Sequence, residues 1–227
     1  MKKPQQQNIQ FNLPRDFRSD FSWRIFRIMS EFIEGFQFLA DLKKEVTFFG
    51  SARFKATNIH YKEALKLARM LGRAGFTIVT GGGPGIMEAG NRGATEVGAE
   101  SVGLNIQLPR EQRMNKYVKK SIGFYYFFTR KVMLSASAQA YVFFPGGFGT
   151  VDEFLELVVL IQTKKTEPIP IVLVGKDFWS GLLGWIDEQM LRKHRAINKE
   201  DVKIYNLVDS AEEAFRIIAQ TKERSYN

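Results

Sequence analysis

From Glu45 to Ala219, short runs of apolar residues alternate with segments whose apolar residues recur at helical spacing. No other feature of the chain restricts its fold as much. Glu45–Gly50 (EVTFFG), Phe76–Thr80 (FTIVT), Ser101–Asn105, a run near Ile122–Tyr126, Gln139–Phe144 and Pro170–Val174 read as strands. Tyr61, Ala64, Leu65, Ala68 and Leu71 mark a helix ended by Gly72 and Gly75. Further helices are expected from about Pro84 to Val97, from Thr129, along the stripe Val151, Phe154, Leu155, Val158 and Val159, and over Phe178–Met190 and Ala211–Ala219. Strands that are apolar throughout, and not at every second position, belong to a parallel sheet covered by helices on both faces. The expected fold class is therefore α/β, a Rossmann-like doubly wound parallel sheet. It is expected as a single domain over residues 45–227 behind an N-terminal extension over residues 1–44. Such sheets bind ligands at the carboxyl ends of their strands, where loops lead into helices.

The extension begins polar and proline-punctuated through residue 20. Phe21, Ile25, Ile28, Phe32, Phe36 and Leu39 then recur at helical spacing, while Trp23, Phe26 and Ile33 lie off that stripe. A helix apolar on two faces has more to bury than one small sheet requires, so a homodimer or higher homo-oligomer is expected.

Composition removes several kinds of chemistry. The chain has no cysteine and only two histidines, His60 and His194, far apart in sequence. Disulfides, thiolate nucleophiles and cysteine or histidine metal sites are thereby disfavoured, and neither metal nor cofactor is expected. The longest apolar run, Phe154 to Ile161, is interrupted by Glu156 and falls far below the roughly 20 residues that span a bilayer. No membrane association and a cytoplasmic location are expected. Catalysis is left to carboxylates, Arg and Lys, hydroxyls and backbone amides. The net charge of +9 suggests an anionic ligand.

Two glycine-rich turns stand at strand-to-helix junctions: Gly81-Gly82-Gly83-Pro84-Gly85 and Pro145-Gly146-Gly147-Phe148-Gly149-Thr150. Neither completes a dinucleotide fingerprint, because Glu88 and Asp152 occupy the third glycine position, and no Walker A lysine is present. What remains is a backbone that approaches an anion closely and presents amides at a helix start. Tight βα turns with no ligand are the alternative reading for each loop.

The charge is uneven. Between Arg110 and Lys131 stand seven basic residues (Arg110, Arg113, Lys116, Lys119, Lys120, Arg130 and Lys131) against the single acid Glu111. Beside two anion-type turns, this cluster is expected to surround a phosphorylated small molecule. A nucleic-acid-binding protein would instead carry a broad basic stripe. Lys119 and Lys120 are expected on a solvated face. Arg130 and Lys131 sit at a helix start, where cations are locally unfavourable. Thr150-Val151-Asp152-Glu153 has the spacing of a capping box, with Thr150 as N-cap and Glu153 closing it. Glu153 is thus either a cap or a carboxylate one turn from the bound ligand.

Together these residues resemble the LONELY GUY (LOG) family. Pro145-Gly-Gly-Phe-Gly-Thr-Val-Asp-Glu153 matches its PGGxGTxxE motif. Gly81-Gly-Gly-Pro-Gly-Ile-Met-Glu-Ala with Asn91-Arg-Gly-Ala94 looks like its longer bacterial branch, and Phe127-Phe-Thr-Arg130-Lys131 corresponds to its Arg-Lys motif. Plant-type members carry Met-His where this chain has Phe127 and Phe128. The resemblance implies a nucleoside 5′-monophosphate phosphoribohydrolase that frees the base of AMP or of an N6-modified, cytokinin-type AMP. It implies Arg130 and Glu153 as catalytic residues. Ser51, Gly82, Gly83, Asn115, Lys131, Gly146, Gly147, Gly149 and Thr150 are implied as substrate contacts. A non-catalytic nucleotide-binding or carrier protein of the same fold is the alternative. Many family members bear the label lysine decarboxylase; a pyridoxal-phosphate decarboxylase would normally have a His-Lys pair, and none occurs here.

Overall fold

The computed structural model describes residues 21–107 and 114–223. Seven strands form one sheet: β1 (Glu45–Phe49), β2 (Thr77–Thr80), β3 (Ser101–Ile106), β4 (Lys120–Phe124), β5 (Ala140–Phe143), β6 (Ile171–Val174) and β7 (Tyr205–Val208). Their order across the sheet is β4-β3-β2-β1-β5-β6-β7, and every neighbouring pair is parallel. The chain works outward from β1 in one direction and then returns to β1 to work outward in the other. The reversal point therefore lies between β1 and β5, where Thr47 aligns with Tyr141 and Phe49 with Phe143.

Strand alternation sorts the core into two layers. Val46 and Phe48 of β1, Ala140 and Val142 of β5, and Val172 and Val174 of β6 face α2 (Ile59–Arg73), α3 (Ile86–Glu96) and α7 (Ala211–Ile218). Phe49, Tyr141, Phe143, Ile171 and Leu173 face the other way. They pack with α1 (Phe21–Ala40), α4 (Phe127–Ala136), α5 (Phe148–Gln162) and α6 (Lys176–Trp185). Both faces are covered, as continuous apolar strands require.

The expected elements appear in the expected order, with differences in β7, α6 and α1. β7 has no counterpart among the expected strands: Tyr-Asn-Leu-Val is short, has a polar second residue and lies half-exposed at the sheet edge. Past Trp185, α6 widens into π-helical winding over Ile186–Lys193 and does not end at Met190 as a plain helix. In α1 the stripe residues Ile25 and Phe36 are exposed together with Trp23, Phe26, Met29 and Ile33. The helix packs through Phe32, Gly35, Phe38 and Leu39 in its second half, and Leu39 and Leu42 join the main core. Among the described residues no helix is long and apolar enough to cross a membrane.

Candidate active site

A cavity of about 750 Å³ opens where β1 and β5 end. Gly50, Ser51, Ala52, Arg53 and Phe54 form one wall, and Pro145 through Thr150 form another. Gly81 and Met87 lie behind, Phe127, Arg130 and Leu134 of α4 stand across from them, and Asp152 and Glu153 descend from α5. This is the sheet's reversal point, where the strand order leaves a crevice between loops that run apart.

The Pro145–Thr150 turn starts α5 earlier than the sequence pattern suggests. Gly147 is the N-cap residue, and its carbonyl accepts the N–H groups of Thr150 at 3.0 Å and Val151 at 3.2 Å. The expected capping box is therefore corrected: Thr150 is the third residue of the helix and not its cap, and Glu153 belongs to its second turn. Gly147, Phe148 and Gly149 supply the leading N–H groups, which lack intrahelical acceptors. No acidic residue stands in the first turn. The side chain of Thr150 folds back on Gly146 so tightly that a β-carbon at Gly146 would collide with it. Phe148 is 97% exposed at the mouth of the cavity.

Glu153 is the unusual group. It is only 9% exposed, and its Oε2 is buried with no hydrogen-bond partner among the described residues. Burial pushes its pKa up to about 7; the neighbouring carboxylates Glu156 and Asp152 reinforce the rise and Lys131 opposes it. Native proteins rarely leave a buried acceptor unpaired, so such an oxygen asks for a ligand donor.

Arg130 is a cation on the same cavity. Its Nε donates to the Leu104 carbonyl within β3, 2.8 Å away, which fixes the guanidinium plane. The rest of the group passes over Gly81 so closely that a β-carbon there would collide with it. Burial lowers the Arg130 pKa, and the charge of Glu153 works against that fall. The expected pair thus lines one cavity, one charge from α4 and one from α5.

Other expected contacts lie elsewhere. Ser51 lines the cavity, with its Oγ accepting the Arg53 N–H at 3.1 Å. Lys131 turns away from the mouth toward α5, its Nζ lying 2.7 Å from Asp152, 2.5 Å from Glu156 and 3.4 Å from Glu153. Burial opposes its charge, but these carboxylates hold its pKa above the ordinary lysine value. Asn115 does not line the cavity either. Its Nδ2 donates to the carbonyls of Gly82 and Gly83 and to Asn91 Oδ1, and its N–H to the Gly82 carbonyl. Asn91, fully buried, takes the Thr80 hydroxyl at 2.6 Å and donates to Ser101 Oγ and the Val102 carbonyl. Gly82 and Gly83 therefore belong to a braced loop beside the cavity. At its end Gly85, with φ of 71°, packs against the Ser51 carbonyl where a side chain would not fit.

The described members of the basic cluster do not ring the cavity as expected. Arg110 and Arg113, like Glu111, lie outside the described residues. Lys119 reaches the Ala99 carbonyl, Lys120 pairs with Glu100, and Lys116 stands over the Tyr117 ring. Of the described members, Arg130 alone lines it. Arg53, from the β1 loop, is the cation that the charge pattern did not single out. Phe54, Phe127 and Phe178 supply apolar wall that only the folded chain brings together.

A family model described as possible lysine decarboxylase matches residues 87–218, more than half of the chain. A cytokinin riboside 5′-monophosphate phosphoribohydrolase, LOG2 of Arabidopsis thaliana, is 29% identical over 147 residues, 62% of this chain and 67% of that protein. The chain belongs to the LOG family. The probable phosphoribohydrolase LOGL5 of Oryza sativa subsp. japonica is 30% identical over 55% of this chain and 52% of its own. Among solved structures, TM1055 matches with a TM-score of 0.59 at 25% identity, covering 78% of this chain and 99% of that one. The molybdenum cofactor carrier protein of Chlamydomonas reinhardtii matches with a TM-score of 0.58 at 20% identity, covering 78% and 97%; it shares the fold. Decarboxylase chemistry of the kind that the model's description suggests uses a Schiff-base lysine. No lysine stands among the described residues lining this LOG-family cavity, so they do not offer that Schiff-base partner.

Proposed function

We propose that the chain is a nucleoside 5′-monophosphate phosphoribohydrolase acting on AMP or an N6-modified AMP. The observation that carries this reading is the Arg130–Glu153 pair: a half-buried guanidinium and a buried carboxyl on one cavity, the latter with an unpartnered oxygen, beside a helix start free of acidic residues. The 5′-phosphate binds the leading N–H groups of α5 at Gly147, Phe148 and Gly149, where the helix dipole favours an anion. Gly146 and the Thr150 hydroxyl complete that turn, and Ser51 faces it from β1. Glu153 then lies at ribose level, where its free oxygen accepts from the sugar hydroxyls.

Hydrolysis breaks the bond between C1′ and the base nitrogen while water oxygen bonds to C1′, and a water proton ends on the departing base. The transition state carries positive charge on the sugar, which an ionised Glu153 stabilises. Arg130, held by Leu104, orients the substrate and supports the leaving side. The apolar wall from Phe54, Phe127 and Met87 accommodates the base. The names of the LOG relatives support this substrate class.

The test is incubation with a panel of nucleoside 5′-monophosphates, with free base and ribose 5-phosphate followed by chromatography. Base release is expected from an adenine nucleotide. Arg130→Ala and Glu153→Gln should each reduce kcat/KM by about 100-fold or more while remaining folded. Near-normal turnover in both variants overturns the assignment. Tight nucleotide binding without base release by the native chain selects the carrier reading.

A further inference from the structure

Arg130 stands on the first turn of α4, and that turn has no side-chain cap of its own: Tyr126, the N-cap residue, supplies none. The carboxylate that serves the turn comes from α1. Glu31 Oε1 accepts the N–H of Tyr125 at 2.9 Å, and Oε2 accepts the N–H of Tyr126 at 3.3 Å and the Thr129 hydroxyl at 2.6 Å. The same hydroxyl lies 2.8 Å from the Tyr126 carbonyl, and the Arg130 N–H donates to that carbonyl at 3.3 Å. Glu31 thus holds both residues that lead into the helix and the residue just before Arg130. Thr129 is wholly buried beneath it.

Two further contacts keep α1 in place over this turn. A β-carbon at Gly35 would lie 2.6 Å from Met133 Sδ and 3.2 Å from Phe124, so the glycine lets α1 close onto α4. The Arg27 guanidinium lies 3.9 Å from the centre of the Tyr125 ring and that of Arg24 5.7 Å from the Tyr126 ring. These are the two tyrosines whose amides Glu31 takes. A carboxylate at a helix N-terminus is also where the helix dipole favours it. All of α1 precedes the residues that the family model matches.

We infer that Glu31 is a positioning residue for Arg130: the N-terminal helix reaches across to fix the turn that aims the guanidinium into the cavity. Its catalytic consequence rests on the function proposed above; its structural consequence does not. Displacing a catalytic group by about 1 Å can cost about 100-fold in rate. The glycine turn that would hold the phosphate is on another helix and is not contacted by Glu31. Loss of Glu31 should accordingly lower kcat by about 10- to 100-fold and leave KM within about threefold.

The test compares Glu31→Ala, Glu31→Gln and Glu31→Asp in the full chain, with Glu34→Ala as control; Glu34 accepts the Ser30 hydroxyl on the exposed side of α1. Amide hydrogen exchange over residues 124–131 is read without any substrate. It should accelerate by about tenfold or more in Glu31→Ala and Glu31→Gln, and remain unchanged in Glu34→Ala. The kinetic arm should show the kcat loss in the same two variants, with partial recovery in Glu31→Asp. The Gln variant keeps the side-chain volume and serves where Ala fails to fold. Unchanged exchange overturns the inference whether or not the chain hydrolyses nucleotides. Faster exchange with native kcat also overturns it, leaving a stabilising cap only. Absence of turnover in the native chain overturns the functional reading alone, and the exchange result then still decides whether Glu31 holds the turn.

Discussion

Glu153 shows most directly how a single residue trades stability for chemistry. Its pKa, raised by burial from the ordinary 4.5 to about 7, means that the folded chain resists ionisation over an interval where the unfolded chain ionises freely. Below the lower value both states are protonated and nothing is lost; between the two, each rise in pH weakens the folded state; above about 7 the loss is complete, on the order of 3 kcal/mol. Glu153→Gln should therefore be more stable than the native chain at pH 8, by on the order of 2 kcal/mol, and the gain should vanish by pH 4. Urea unfolding at the two pH values measures it; equal stability at pH 8 would refute the buried-charge account. The same ionisation should set the acidic limb of kcat/KM, with its midpoint near 7 in the free enzyme. Lys131 opposes the rise, so Lys131→Met should move that limb to higher pH, and a pH–rate profile that stays in place would remove Lys131 from the circuit. The sequence made Glu153 visible as a motif residue, but its spacing fitted a cap equally well. Only burial separates the two roles, and burial depends on what α4 and β1 place around it. Asn115 and Lys131 illustrate the converse: their types suit a phosphate, yet one is occupied with loop carbonyls and the other with three carboxylates.

Among the elements, the interior strands were readable because a residue buried on both faces of a sheet leaves an unbroken apolar run. β4 and β7, at the two edges, are partly solvent-exposed and carry Lys120, Ser121 and Asn206; β4 starts two residues before the run near Ile122–Tyr126 and β7 left no readable run at all. The start of α5 differs from its expected place for a related reason. Thr and Glu at cap spacing are a local signal, whereas the Gly147 carbonyl that starts the helix is a matter of backbone path. Gly149 lies in the first turn with open space where a β-carbon would stand. Alanine there should leave the melting temperature unchanged or slightly raised, since it favours a helix by up to about 1 kcal/mol over glycine. It should nevertheless raise KM for the nucleotide by about tenfold, because the methyl group crowds the anion (about 1.4 kcal/mol of binding). Thermal unfolding and steady-state kinetics on the same preparation separate the two, and an unaltered KM would move the phosphate away from this helix. Glu31 had no sequence signature: its partners lie more than ninety positions away, and a lone glutamate in an amphipathic helix reads as solvated surface.

At the scale of the molecule, the parallel doubly wound sheet and its ligand crevice follow from strand order: α2 and α3 cover one face while the chain works outward from β1 to β3, and α4, α5 and α6 cover the other once it returns to β5. Outside that sandwich, α1 presents Trp23, Phe26, Met29 and Ile33 to solvent. A contiguous apolar stripe of this kind marks a protein contact, and a second copy of the chain is the proposed occupant. Sedimentation equilibrium should report a dimer or larger assembly, and the double substitution Phe26→Glu, Ile33→Glu should shift it to monomer. A native chain that sediments as a monomer at micromolar concentration would refute this. The pairing of β1 with β5 bears on how such a chain comes to have a cavity. Thr47 meets Tyr141 across 94 positions of chain, whereas Glu45 meets Thr77 across 32. Loop-closure entropy grows only with the logarithm of length, so the longer closure costs about 1 kcal/mol more than the shorter one. Lengthening the intervening loops is thus cheap at equilibrium. In chain order it is different: β1 and β2 bring Gly50 through Phe54 and Gly81, and the facing wall, Pro145 through Thr150, comes only with β5. The two walls of the cavity are neighbours in space and strangers in the order of synthesis, and no stretch of chain shorter than β1 through β5 carries both.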